Sequence, residues 1–170
     1  FFQAEVGFRD VFGSRGLEMC IRDRFRTQLR ALLRAARYGK LAILIPMVVS
    51  VEEVLTVRKL LQQAAAELEQ EGVPFSRDYE FGVMIETPSA AMISDLLAPH
   101  VDFFSIGTND LVQFTVAADR ENPHVAALCD PQHPAVRRLI EIAVKNGVRS
   151  GIRVAVCGEA APDPAMTRFL

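Results

Sequence analysis

Cysteine is scarce in this sequence: three residues in 170, an odd number, which argues against a disulfide framework and suits a reducing compartment. Histidine is equally scarce. His100, His124 and His133 are dispersed, each beside or near a proline, with no metal-ligand spacing, and all three are expected to be structural or solvated. No apolar run approaches the roughly 20 residues that a membrane-spanning helix needs, and the N-terminus lacks a signal-peptide core, so no membrane insertion is expected. No glycine-rich phosphate loop follows any apolar run, which removes the main support for a dinucleotide-binding fold. Strong net charge is also missing. The formal charge is −2, giving no electrostatic case for a nucleic acid or an anionic membrane. The charge is uneven, with nine Lys/Arg against four Asp/Glu in residues 1–40 and an acidic excess beyond. A cytoplasmic protein is the expectation.

What is present is a core-forming composition, 50% hydrophobic and 24% charged. A chain of this size buries roughly 70% of the surface its unfolded form exposes. From residue 40 two periods alternate. Leu41–Met47 is a short apolar run, as expected of a strand covered on both faces. Ser50 and Glu53 make a capping box, opening a helix whose apolar stripe runs to Gly72. A second strand is expected over Phe81–Glu86, then a helix from Thr87-Pro88 to about Leu97. A third strand, Asp102–Gly107, runs into Thr108-Asn109-Asp110 and another helix; a further helix starts at Pro134 and ends at Gly147. The fourth strand is Ile152–Cys157. This alternation predicts an α/β fold with a parallel sheet. A complete eight-stranded barrel takes about 250 residues, so four units predict a partial (β/α)8 TIM-type barrel.

Polar residues gather at the expected strand ends: Glu86, Asn109, Asp110, Cys157 and Glu159. In a barrel that is the face where chemistry is done. Glu86 and Asp110 follow consecutive strands, and two carboxylates with the remaining positions left to water and substrate oxygens suit Mg²⁺ or Mn²⁺ rather than zinc. The competing reading is that each carboxylate caps the helix behind its strand. Cys157 reads either as a reactive thiol or as core filler, and Cys129 reads as structural. Arg120 reads as a surface ion pair or as an anion clamp turned over the barrel mouth.

The ordered set Gly82–Pro88, Val101–Leu111, Asp119-Arg120 and Cys157-Gly158-Glu159, together with Phe25–Ala35, resembles the phosphoenolpyruvate (PEP)-utilising enzymes, and within them the enzyme I branch, the PEP–protein phosphotransferases of bacterial sugar uptake. The resemblance implies the second half of a barrel without its last unit, with Mg²⁺ held by Glu86 and Asp110. It further implies PEP phosphate held by Asn109, Asp110 and Arg120, and an enolpyruvate protonated by Cys157. The implied partners are PEP or pyruvate, a histidine-containing phosphocarrier protein and a second copy of the full-length chain. PEP synthase and pyruvate phosphate dikinase share this machinery. An inert scaffold remnant and a lyase of the citrate lyase type also accommodate a half barrel with acidic strand ends.

The resemblance covers residues 25–170. Residues 1–24 match no family segment, and Glu18–Asp23 is what a transposase end sequence used in library construction encodes, so a foreign segment is expected there. The family's phosphorylated histidine and its upstream substrate arginines find no counterpart in the 170 residues, and the chain alone is expected not to turn over PEP.

Overall fold

The computed structural model describes residues 2–3, 15–159 and 161, with side chains from residue 23 onward. Half of the segment expected to be foreign, residues 1 and 4–14, lies outside the described residues. Five strands pair in chain order, β1 (Phe2–Gln3), β2 (Leu41–Ile45), β3 (Tyr79–Ile85), β4 (Phe103–Gly107) and β5 (Arg153–Cys157), and every pairing is parallel. Strictly sequential order is the wall of a barrel, because a doubly wound sheet reverses its order at a switch point. The four longer strands fall where the apolar runs predicted them. The two-residue β1 has no counterpart in the sequence reading.

Helices α1 (Arg15–Ala35), α2 (Val51–Gln70), α3 (Pro88–Met92), α4 (Ser94–Leu97), α5 (Thr108–Val116) and α6 (Pro134–Arg149) connect the strands. Side chains alternate across each strand, and the two faces carry different loads. Ile43, Ile45, Phe81, Val83, Ile85, Phe104 and Ile106 pack outward with Leu29, Leu33, Val54, Leu61, Leu68, Leu111 and Ile140 in one large core. Each such side chain contributes about 1.5–3 kcal/mol on burial, so the helix-facing side dominates stability. The opposite face holds the smaller cluster Leu44, Met84 and Phe103, with Ala42 and Cys157 against it. This is the barrel interior. It admits Phe103 because β3 has glycine opposite: a Cβ on Gly82 would lie 2.5 Å from the Phe103 ring.

Local signals account for most boundaries. In α2 the Ser50 side chain accepts from the Glu53 N–H while the Glu53 carboxylate accepts from the Ser50 N–H, the expected capping box. Thr87 caps α3, accepting from the Ala90 N–H at 3.1 Å, with Pro88 in the first turn. Three details differ from the sequence reading. The helix expected from Thr87 to Leu97 breaks at Ile93, where Ser94 turns its hydroxyl onto the Ala91 carbonyl and accepts from Asn146 of α6. Gly147 does not end α6, which runs to Arg149. Its missing side chain instead admits Val154, whose Cγ2 occupies the space a Cβ there would need, and the left-handed glycine is Gly151 at φ +70°. Finally, Asp102 stands outside β4, its carboxylate accepting from the Phe81 N–H at 2.7 Å in place of a ladder bond.

Candidate active site

The strand ends of β3, β4 and β5 place the expected residues at one end of the sheet. Ile85 pairs with Ile106, and Gly107 pairs with Cys157. One residue beyond β3, Glu86 therefore shares a row with Gly107 and Cys157, all three with the parity of the interior face. A Cβ on Gly107 would lie 2.7 Å from a Glu86 carboxylate oxygen and 2.8 Å from its Cβ, so glycine is what lets the buried carboxylate occupy this row.

Glu86 caps no helix; Thr87 does that. Its Oε1 instead accepts from the Met47 N–H at 2.7 Å, in the loop after β2, where Met47 sits at φ +56°. The Thr87 hydroxyl donates to the Val48 carbonyl at 2.7 Å, so two bonds tie that loop to the end of β3. Burial pushes the Glu86 carboxyl above the ordinary range. The Met47 bond opposes the shift, Asp110 beside it adds to it, and Arg120 opposes it. Asp110 is not a strand end but lies in the first turn of α5, whose N-cap is Gly107 with no side-chain cap. It faces Glu86 and stands 3.8 Å from an Arg120 Nη.

Glu86, Asp110 and Arg120 thus form one charged group, two carboxylates and a guanidinium. Arg120 makes an ion pair, as one reading of it expects, but with the residue expected to hold a metal. Asn109 turns the other way, its Oδ1 accepting from the Glu159 N–H at 2.9 Å and closing the turn after β5. A cavity of about 280 Å³ opens among Thr108, Asn109, Arg120, Cys129, Pro131 and Glu159. Cys129, expected to be purely structural, forms part of this wall while its thiol donates to the Ala118 carbonyl at 3.4 Å. Cys157 is half-buried. Its sulfur accepts from the Ser105 hydroxyl and donates to the Ile106 carbonyl, both at 3.3 Å.

The donor set suits a hard divalent cation. The Glu86 carboxylate is buried with the partly exposed Asp110 carboxylate facing it, the like charge adds to the cost of ionising Glu86, and a cation relieves that cost. Among the described residues no group of three or more His, Cys, Asp or Glu side chains is placed to hold a metal. The pair would therefore leave positions to water or substrate oxygens, the habit of Mg²⁺.

Sequence reasoning missed Met47, Ser105, Thr108 and Gln113. Met47 acts through a backbone donor that no side-chain pattern reveals. Thr108 bonds the Cys157 carbonyl at 3.0 Å, and Gln113 accepts from the Arg120 N–H at 3.2 Å. Only Ser105 had a signal, its parity with Phe103 and Gly107. Two of the histidines are as expected: His133 caps α6 by accepting from the Ala135 N–H, and His124 is exposed.

The fold defines a class first, a partial (β/α) barrel with an acidic strand-end cluster. A citrate lyase from Burkholderia xenovorans LB400 superposes over 84% of this chain and 42% of its own, with TM-score 0.61 and 22% identity. An HpcH/HpaI aldolase/citrate lyase family protein from Burkholderia cenocepacia J2315 covers 75% and 52%, with TM-score 0.53 and 17% identity. At such identities the likeness is one of fold alone. Sequence goes further: the family described as PEP-utilising enzyme, PEP-binding domain, matches residues 7–170, and the chain belongs to it. The match begins upstream of residue 25, where the motif resemblance starts. Two relatives, both named phosphoenolpyruvate-protein phosphotransferase, are similar over most of the chain. That of Priestia megaterium is 50% identical over 153 residues, covering 89% of this chain and 27% of the relative. That of Bacillus subtilis (strain 168) is 46% identical over 165 residues, covering 96% and 29%. The chain spans less than a third of the length of these relatives.

Proposed function

We propose that this chain is the PEP-binding barrel portion of a PEP–protein phosphotransferase, in which a phosphoryl group passes from PEP to an enzyme histidine outside these residues and on to a phosphocarrier protein for sugar uptake. The observation that carries the reading is the Glu86–Asp110–Arg120 group beside a cavity lined by Arg120 and Asn109. The near-half identity to phosphotransferases supports it.

Glu86 and Asp110 would hold Mg²⁺, which when bound neutralises charge on the carboxylate and phosphate of PEP. Arg120 and Asn109 orient the phosphate, the guanidinium by paired N–H donors and the amide by its NH₂ once the Oδ1 bond to Glu159 has fixed its plane. Positioning and electrostatics supply most of the catalysis in such a transfer. The enolpyruvate left behind gains a proton at carbon from the Cys157 thiol. The full-length protein works as a cytoplasmic homodimer in this reading; no helix among the described residues is long and apolar enough to cross a membrane. Residues 25–170 are assigned to the barrel and 1–24 to a foreign segment, which resequencing of the locus tests: an uninterrupted native frame refutes the assignment.

The activity is tested by Cys157→Ala in the full-length protein. A group that acts in the transition state lowers kcat with little change in KM. The expected result is slowed pyruvate formation by at least about a hundredfold, the low end of what general acids contribute, at near-normal PEP affinity. Normal turnover rejects the role.

A further inference from the structure

We infer that Ser105 is a positioning residue for Cys157, its hydroxyl holding the sulfur in place and stabilising the thiolate that remains when the thiol gives up its proton. The inference rests on the proposed function for its catalytic meaning, but its physical content is local. Ser105 lies in the middle of β4, faces the barrel interior and is buried. Its Oγ–H donates to the Cys157 sulfur at 3.3 Å, and that sulfur donates its own hydrogen to the Ile106 carbonyl at 3.3 Å. The pairing Ser105↔Ala155 sets the hydroxyl one row below Cys157, under the sulfur.

The two partners of the sulfur respond in opposite ways to loss of the proton. The Ile106 carbonyl accepts from the thiol and has nothing to offer a thiolate, toward which its oxygen is repulsive. The Ser105 hydroxyl donates in both states, and a bond to an ionised acceptor is roughly twice as strong as a neutral one. In the proton transfer the S–H bond breaks, a C–H bond forms at the enolpyruvate carbon, and the S–H electron pair stays on sulfur facing the Ser105 hydrogen. Rotation about Cβ–Sγ swings the proton from the Ile106 carbonyl toward the open end of the barrel while the sulfur itself stays against Ser105. A hydroxyl aimed at the atom where charge develops acts without reorganisation at the moment of reaction.

The charged groups at this end of the sheet are Glu86 after β3, Asp110 on α5, Arg120 beyond it, and Glu159 just after β5; Arg153 begins β5 at the far end, where it pairs with Glu80. All of them persist when Ser105 alone is changed, so the comparison between variants isolates the hydroxyl.

The test is alkylation of Cys157 by iodoacetamide in the 170-residue chain, followed by peptide mass spectrometry, with folding checked by circular dichroism. At about pH 7.5 Ser105→Ala is expected to slow the reaction roughly three- to tenfold, the worth of one hydrogen bond to a charged group. At about pH 10.5, where a thiol is ionised without help, the rates converge. Ser105→Thr, which keeps the hydroxyl, retains the parental rate. Equal rates at the lower pH, an equal slowing at both, or a threonine variant as slow as alanine overturns the inference. Iodoacetamide involves neither PEP nor metal, so failure of the proposed function shows instead as absent PEP chemistry with this alkylation pattern intact.

Discussion

Gly107→Ala adds one methyl group directly against the buried Glu86 carboxylate. Gly107 has φ −87° and ψ 88°, open to any residue, so backbone strain plays no part and the effect is steric. The new Cβ would lie 2.7 Å from the Glu86 Oε2, 2.8 Å from its Cβ and 2.9 Å from the Met84 Cε. All three are well inside contact distance, and Glu86 is buried, 2% exposed, with its other oxygen committed to Met47. The carboxylate cannot swing away without breaking that bond. Overpacking of this kind costs about 1–3 kcal/mol. For a chain of this size that lowers Tm by roughly 2–12 °C. Gly39→Ala is the control, because nothing lies within 4 Å of a Cβ there; it leaves Tm unchanged or slightly raised. Thermal melts by circular dichroism, paired with Mn²⁺ titration, read both consequences. Gly107→Ala is expected to melt earlier and to bind the ion less tightly. A variant with parental Tm and parental affinity would refute the placement of Glu86 against Gly107.

Glu86 holds its proton more tightly folded than unfolded, so stability falls as pH rises from the ordinary carboxylate range to its raised value. Glu86→Gln keeps the acceptor for Met47 and is expected to remove that decline, leaving the variant more stable than the parent at neutral pH and equal to it in acid; urea unfolding across pH checks this, and parallel curves reject it. Ser50→Ala removes the α2 N-cap and is expected to cost about 1 kcal/mol, or roughly 2–4 °C in Tm; an unchanged melt shows that Glu53 alone secures the helix start.

Strands β2 to β5 were legible because each is an apolar run between turn signals, and α2 because Ser50 and Glu53 stand three residues apart. The break at Ile93 was not legible. It depends on Ser94 meeting Asn146, 52 residues away, which no local pattern encodes. Gly147 misled for a similar reason: a glycine near a helix end signals a stop, but this one answers to Val154 across the core. In the site, Glu86, Asn109, Asp110 and Cys157 are side chains with chemistry of their own and stood out at or just past the strand ends, and Arg120 stood out as the arginine ten residues beyond Asp110. Met47 and Gln113 act by holding a loop, the first through its backbone, and look ordinary in sequence. Thr87 was legible as the cap of α3; what sequence could not show is that the Glu86 carboxylate turns to the Met47 N–H and faces Asp110.

The central claim is that Glu86 and Asp110 form a cation site at the open end of the barrel. Its most direct test is a Mn²⁺ titration, read by electron paramagnetic resonance, of the chain and of Asp110→Asn. The account predicts one saturable site per chain, displaced by Mg²⁺ and lost in Asp110→Asn while the variant melts within a few degrees of the parent. Mn²⁺ binding that survives Asp110→Asn unchanged, or a parental chain that binds none, would contradict it.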